Sequence, residues 1–464
     1  MRIIDTGLIK IEEGAGVFAS SIGQGKGGNI NIAADSVELR GASANGQFLS
    51  FLGSETTGVN SRADAGDVTI AARNLNIRDG ARISTQTFNQ GRGGNLTINA
   101  RESLNIFGTG VQNGQVVGSG FFTETSASGD SGDLRIIDTG SIRIEGGGTI
   151  SASNRGQGSG GNIEINADTL EIFGIASNGQ FVSAIGSETT GANSSTDAGD
   201  ITITARNLNI SDRGLISTRS FNQGKAGNIN INVDKTLNLT NGNILTFSRQ
   251  SSGGSVNVNA ENIRLFGDSN ISTSVVSGAG GGGDIKLTAD SILAFGDSDI
   301  FAFAQDGKGG NITFDTPAFF GQNYRPATPG TNPLTLEENN RVDINASGAV
   351  SGVIVLPDTS FVQNNLGKLP QTAIDTNALI ANSCIARRNQ QQNGSFFITG
   401  SGGLPARPSD ASLPSYSTGD VQPIPTESTI LPTQKRPWQI GDPVIEPSGV
   451  YELPNGKLVL GKEC

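Results

Sequence analysis

Residues 66–84 read Gly66-Asp67-Val68-Thr69-Ile70-Ala71-Ala72-Arg73-Asn74-Leu75-Asn76-Ile77-Arg78-Asp79-Gly80-Ala81-Arg82-Ile83-Ser84. Three short period-2 runs lie in this stretch: Val68-Thr69-Ile70, Leu75-Asn76-Ile77 and Arg82-Ile83-Ser84. Alternation turns Val68, Ile70, Leu75, Ile77 and Ile83 one way and Thr69 and Asn76 the other, the signature of half-buried strands. Gly, Asn and Asp between the runs supply corners, because they tolerate tight turns or hydrogen-bond their own backbone.

The same unit recurs along the chain. Gly-Asn or Gly-Asp followed by alternating apolar residues appears at Gly28-Asn29, Gly66-Asp67, Gly94-Asn95, Gly132-Asp133, Gly161-Asn162, Gly199-Asp200, Gly227-Asn228, Gly283-Asp284 and Gly310-Asn311, with Gly254-Ser255 as the variant. Successive glycines are 38, 28, 38, 29, 38, 28, 27, 29 and 27 residues apart. A larger duplication overlies this period: residues 2–7 (RIIDTG) return at 135–140 and residues 53–58 (GSETTG) at 186–191. A repeat of this length overrides the prior of about three ordinary domains that 464 residues would suggest. The expected fold is all-β: a right-handed parallel β-helix with three strands and about 28 residues per coil. Corresponding residues then stack about 4.8 Å apart, and ten or eleven coils make a rod on the order of 50 Å long. One coil cannot bury its own apolar face, so stability requires the array.

Composition narrows the function. Net charge is −11, from 43 acidic and 32 basic residues, which disfavours nucleic acid and anionic membrane surfaces. The chain contains no His, which disfavours hydrolytic triads and the usual zinc sites. No stretch of about 18 apolar residues is present, so no membrane-spanning helix is expected. No Pro, Cys, Tyr or Trp occurs in residues 1–316, as suits uninterrupted ladders.

Four features invite a functional reading. Stacked Asp67, Asp133, Asp200 and Asp284 suggest calcium or a catalytic carboxylate cluster, but no nonapeptide calcium repeat is present, and alternate coils separate the acids by roughly 10 Å. Hydrogen bonding to the corner backbone is the simpler role. The 38-residue units carry inserts containing Asn45-Gly46-Gln47-Phe48, Asn113-Gly114-Gln115-Val116 and Asn178-Gly179-Gln180-Phe181. Asn-Gly between extended residues signals a hairpin whose two turn positions need positive φ. Three hairpins from one corner on alternate coils are either a repeated recognition surface for glycan or protein, or loop growth multiplied by duplication, with Phe48 and Phe181 covering the corner. The glycine run Gly278–Gly283 lacks the Lys-Ser/Thr of a phosphate loop and reads as a corner. Arg73 and Arg206, each in Ala-Arg-Asn-Leu-Asn, read as solvated corner residues.

The sequence divides into repeats at 1–316, last strands with linker and short helix at 317–383, and a Pro/Ser-rich extension at 384–464. Val342-Asp343-Ile344 and Val353-Ile354-Val355 look like final strands, 377–388 like one short helix, and 450–460 like a hairpin with a Pro-Asn-Gly turn. Cys384 and Cys464 are either one bridge, closing a loop worth roughly 4 kcal/mol in the chain-entropy model, or two unrelated thiols.

The Gly-x-Gly-Gly-Asn-Ile-x-Ile units resemble the haemagglutinin-type β-helix repeats of filamentous haemagglutinin-like exoproteins from two-partner secretion systems. The resemblance covers about residues 1–356. The segments 342–347, 357–360, Asn382-Ser383-Cys384 and 397–405 are similar to the C-terminal ends of large bacterial members. It implies export through an outer-membrane transporter of the two-partner type and a secreted or cell-surface rod used for adhesion. Family members begin with a signal peptide and a secretion domain, whereas Arg2-Ile3-Ile4-Asp5-Thr6-Gly7 matches an interior coil. The expectation is therefore the C-terminal part of a longer exoprotein, or a truncated gene. The expected protein is a non-enzymatic, adhesin-like exoprotein without metal or cofactor. The alternatives are a carbohydrate-active β-helix enzyme (polysaccharide lyase or hydrolase) and a non-functional truncated product.

Overall fold

In a computed structural model, residues 1–58, 60–357, 422–423, 449–452, 456 and 458–461 are described. The chain divides into two units, Met1–Phe361 and Val362–Cys464. The first is all-β and solenoid-like. Among its described residues each coil up to Val275 gives one long strand to one sheet and one short strand to another, and both sheets have 13 strands. Neighbouring strands along each sheet run parallel, as in Ile30–Arg40, Val68–Arg78 and Leu96–Phe107.

The register repeats the sequence period. Val68 pairs with Leu96, Ile70 with Ile98 and Ile77 with Ile106; Leu96 pairs in turn with Leu134, Ile98 with Ile136 and Ile106 with Ile144. Like side chains thus stack on like, and Ile70, Leu75, Ile77, Ile83, Ile98 and Leu104 are fully buried in one continuous core. Each such side chain contributes about 1.5–3 kcal/mol by leaving water.

The first two period-2 runs, expected as separate strands, belong to one hydrogen-bonded strand, Val68–Arg78. The burial alternation changes phase at Arg73-Asn74: Val68, Ile70 and Ala72 point inward before it, Leu75 and Ile77 after it. The strand bends there while its pairing continues. In Leu96–Phe107 the same bend carries an extra residue, a bulge between Ala100 and Ser103. The third run, around Ile83, forms the short strand Arg82–Thr87.

Corner chemistry is uniform. A Cβ on Gly94 would lie 2.1 Å from the Gly66 carbonyl oxygen, so only glycine admits the next coil at that distance. Its own carbonyl accepts the Thr85 hydroxyl inside the coil, and Thr246 and Thr273 serve Gly254 and Gly283 in the same way at 2.7 Å. These interior hydroxyls satisfy buried carbonyls that the ladder leaves over. The Gly278–Gly283 run lies at a corner between the strands Asn270–Val275 and Ile285–Ala294.

The sheets continue past residue 316 to strands Asp343–Asn345 and Ile354–Val355, where the final strands were expected. In the second unit, Gly449–Glu452 and Leu458–Gly461 pair antiparallel, the expected terminal hairpin. The expected helix at 377–388 and both Cys384 and Cys464 lie outside the described residues. Among those residues no helix is long and apolar enough to cross a membrane.

Candidate interaction surface

The three inserts occupy one corner position on alternate coils. Each joins a long strand to its short partner: 41–50 follows Ile30–Arg40, 108–119 follows Leu96–Phe107, and 174–183 follows Ile163–Phe173. A buried serine seals each base. Ser50 Oγ donates to Arg40 O (2.6 Å) and accepts from Gly14 N (3.1 Å) on the preceding coil. Ser119 and Ser183 do the same with Phe107 and Gly80, and with Phe173 and Gly147. In a coil without an insert, Ser269 makes the equivalent pair with Phe266 O and Gly242 N. The anchor is thus shared by the three insert coils and this compact one, and the inserts are additions above it.

The middle insert is the hairpin the sequence predicts. Thr109–Gln112 pairs antiparallel with Gln115–Gly118 around Asn113 (φ 50°) and Gly114 (φ 79°). The other two differ. Each is closed by a single antiparallel bridge, Ala42 with Leu49 and Ile175 with Val182. Within each Asn-Gly pair only the glycine, Gly46 or Gly179, has positive φ; the Asn45 and Asn178 side chains instead accept the backbone N–H of Gln47 (3.1 Å) and Gln180 (3.0 Å). Asn-Gly here builds a side-chain-closed turn, because an Asn carbonyl can replace a backbone acceptor.

The first two inserts touch: Asn113 N donates to Gly46 O at 2.8 Å. The tight corner of the coil between them lies beneath, with Gly80 so close that a Cβ there would sit 2.6 Å from Gly110 Cα. Phe48 does not cover the corner, being 62% exposed, whereas Phe181 is half-buried. Exposed Val111 and Ile175 add to the apolar character of this flank. Asn45, Gln47, Asn113, Gln115, Asn178 and Gln180 are also on the surface, at or next to the turns. Val116 is half-buried in the middle hairpin.

The corner acids are used within the fold. Asp67 Oδ1 accepts Asn95 N (2.8 Å), Asn95 Oδ1 accepts Asp133 N (3.0 Å), and Asp133 Oδ1 accepts Asn162 N (2.9 Å). Asp200 and Asp284 serve Asn228 and Asn311 in the same manner. Arg73 forms exposed ion pairs with Asp35 (3.4 Å) and Glu102 (3.7 Å), and Arg206 is exposed.

A second cluster, not recognised from the sequence, lies on the outer face of the short-strand sheet. Arg82 stacks on Phe122 with its guanidinium carbon 4.4 Å from the ring centre. Glu124 is buried and takes Gln86 Nε2 (2.9 Å) and Arg155 (3.2 Å). Burial pushes the Glu55 carboxyl above the usual range, opposed by Arg82. Burial also lowers Arg82, opposed by Glu124 and Glu55 and reinforced by Arg155. The GSETTG duplication hinted at this face, since it places Glu188 where Glu55 stands, and Glu188 pairs with Arg219 at 3.1 Å.

The chain matches no protein-family model, and comparison with curated proteins and with solved structures gives no significant match.

Proposed function

We propose that this chain is a non-enzymatic, adhesin-like exoprotein, secreted or held at the cell surface, whose repeat unit is a right-handed β-helix with three strand segments per coil. In this reading the solenoid is a carrier and the insert flank binds a glycan or protein receptor. Export through an outer-membrane transporter of the two-partner type belongs to the same proposal. The observation that carries it is the joining of inserts on alternate coils into one raised surface, with Asn113 N on Gly46 O (2.8 Å) and an apolar Phe48 left open to solvent. An exposed aromatic on a rigid turn suits recognition, since it offers contact area at little entropic cost.

The test replaces residues 42–49 and 109–118 with the compact corner seen between Phe266 and Ser269. Loss of binding to target cells or a glycan array, with the β circular-dichroism signal retained, supports the reading. Undiminished binding overturns it.

A second reading, a polysaccharide-cleaving enzyme, draws on Glu55 and Glu124. Glu55 pairs with Gln86 on the neighbouring strand, and Glu124 hydrogen-bonds Gln86 from the coil beyond it. Two coils separate carboxylates by about 10 Å, at the upper limit for an inverting pair. Release of reducing ends or unsaturated products from acidic polysaccharides, abolished in Glu124→Gln, would favour this alternative.

A further inference from the structure

Six Asn-Gly pairs occur in the chain, at 45–46, 113–114, 178–179, 241–242, 393–394 and 455–456. Asn393 and Asn455 lie outside the described residues. Asparagine is thermolabile, most of all before glycine. With no Cβ in the way, the glycine backbone nitrogen can reach the asparagine Cγ, an intramolecular attack favoured by proximity. Two groups must be free for it, the asparagine side chain and the glycine N–H. In three of the four described pairs both are tied. Asn45 Oδ1 accepts Gln47 N (3.1 Å) and the Ser43 hydroxyl (2.7 Å), its Nδ2 donates to Gln47 Oε1 (3.0 Å), and Gly46 N donates to Ser43 O (2.8 Å). Asn178 repeats the pattern: Oδ1 accepts Gln180 N (3.0 Å), Nδ2 donates to Gln180 Oε1 (3.3 Å), and Gly179 N donates to Ala176 O (2.8 Å). Asn241 Oδ1 accepts Asp268 N (3.0 Å), and the buried Gly242 donates its N–H to Ser269 Oγ (3.2 Å).

Asn113-Gly114 differs on both counts. Its hairpin closes by backbone pairing of Gln112 with Gln115, so the asparagine side chain is not needed as an acceptor. Among the described residues the Asn113 side chain has no hydrogen-bond partner and Gly114 N has no acceptor. Both residues are exposed, and nothing lies within 4 Å of the place where a Gly114 Cβ would stand, so the side chain has room to swing toward the next nitrogen. What the tip does engage is the first insert, through Asn113 N on Gly46 O (2.8 Å).

We propose that Asn113 is a site of spontaneous deamidation, and that its conversion unlinks the first two inserts. Solvent base takes the proton from Gly114 N. The nitrogen bonds to Asn113 Cγ, the Cγ–Nδ2 bond breaks, and ammonia leaves behind a cyclic imide. Water then adds to one of the two imide carbonyls and the C–N bond there breaks, giving aspartate or isoaspartate at position 113. Only water is consumed, and nothing is oxidised or reduced. Either product puts a carboxylate where a neutral amide stood. Isoaspartate also lengthens the main chain by one methylene between Gln112 and Gln115, which a two-residue turn cannot absorb. Asn113 N then loses its place against Gly46 O, while the first insert keeps its own closure through Asn45. The chemistry is independent of what the flank binds.

The experiment ages the full 464-residue chain at mildly alkaline pH and maps its peptides by mass spectrometry, with electron-transfer fragmentation to tell isoaspartate from aspartate. Conversion at Asn113 should outpace that at Asn45, Asn178 and Asn241 at least about tenfold, the rate equivalent of about 1.4 kcal/mol. That is comparable to one intramolecular hydrogen bond broken on the way to the transition state. In urea, where the turns are gone, the four rates should converge, because glycine follows asparagine in every pair. In chain converted at position 113, amide exchange across residues 109–118 should quicken while the long-strand amides hold. Equal rates in the folded chain overturn the assignment, and the same ranking in urea overturns its structural cause. Unchanged exchange across 109–118 overturns the unlinking.

Discussion

The backbone N–H of Asn113 lies 2.8 Å from the carbonyl oxygen of Gly46, joining two inserts that spring from coils separated by a third. The bond ties one insert's turn to another's and makes the flank a single surface. It depends on the middle hairpin keeping its turn, in which Asn113 and Gly114 both have positive φ. Gly114→Val places a β-branched residue at φ 79°, where side chains are strained, and should cost about 1–2 kcal/mol locally. Hydrogen exchange at the Asn113 amide should quicken, with the long-strand amides unaffected. An unchanged Asn113 rate would show that the turn tolerates the substitution.

The Asn/Asp ladder predicts a chemical asymmetry. Asn95→Ala deprives Asp133 N of its acceptor and should destabilise the chain by about 0.5–1.5 kcal/mol in urea unfolding. Asn95→Asp keeps the accepting oxygen and should be close to neutral, because Asp fills this place at 67 and 133. Equal losses in the two variants would mean that the amide's donors, rather than its oxygen, matter.

Gly94 is a packing constraint. Its added Cβ would meet Gly66 O at 2.1 Å, and backbone cannot retreat as a flexible side chain can. Gly94→Ala should therefore cost about 3 kcal/mol or more by overpacking and lower the melting temperature. Gly114→Ala meets no atom within 4 Å, so its cost is conformational only and smaller. Similar melting temperatures for the two would contradict the stacking argument.

Glu55 predicts a pH dependence with a definite sign. Burial raises its carboxyl above 4.5 in the folded chain, so the folded state holds the proton more tightly than the unfolded state does. Its stabilising contribution is complete below 4.5 and is lost as pH rises through the folded value. Glu55→Gln should match wild type near pH 4 and equal or exceed it at pH 7. The gain should be under about 1 kcal/mol, because the group is partly solvated and Arg82 loses a partner. Denaturation midpoints at the two pH values decide it; a variant less stable at pH 7 than at pH 4, relative to wild type, contradicts the sign.

Much of the site was visible as position and little as contact. The inserts at Asn45-Gly46, Asn113-Gly114 and Asn178-Gly179 were marked by their turn residues, yet two of the three use the Asn side chain as an acceptor instead of the predicted double positive φ. Identical dipeptides diverge because the turn type depends on how the flanking residues pair. The middle insert continues into paired extended residues, whereas the others close on one bridge. The Arg82–Phe122 stack escaped notice because its members belong to different coils and neither stands in a motif.

Strand order, register and core were written in the sequence itself. Val68, Ile70, Leu75 and Ile77 alternate locally and recur at a fixed period, and parallel stacking is the arrangement that buries every copy at once. Tertiary structure alone decided which corners meet, that the chain bends at Arg73-Asn74 without breaking its pairing, and that Asp299 is buried without a partner for one oxygen. Those outcomes depend on angles at corners and on a segment returning from residues 332–341. No local alternation encodes the distance between groups so far apart along the chain.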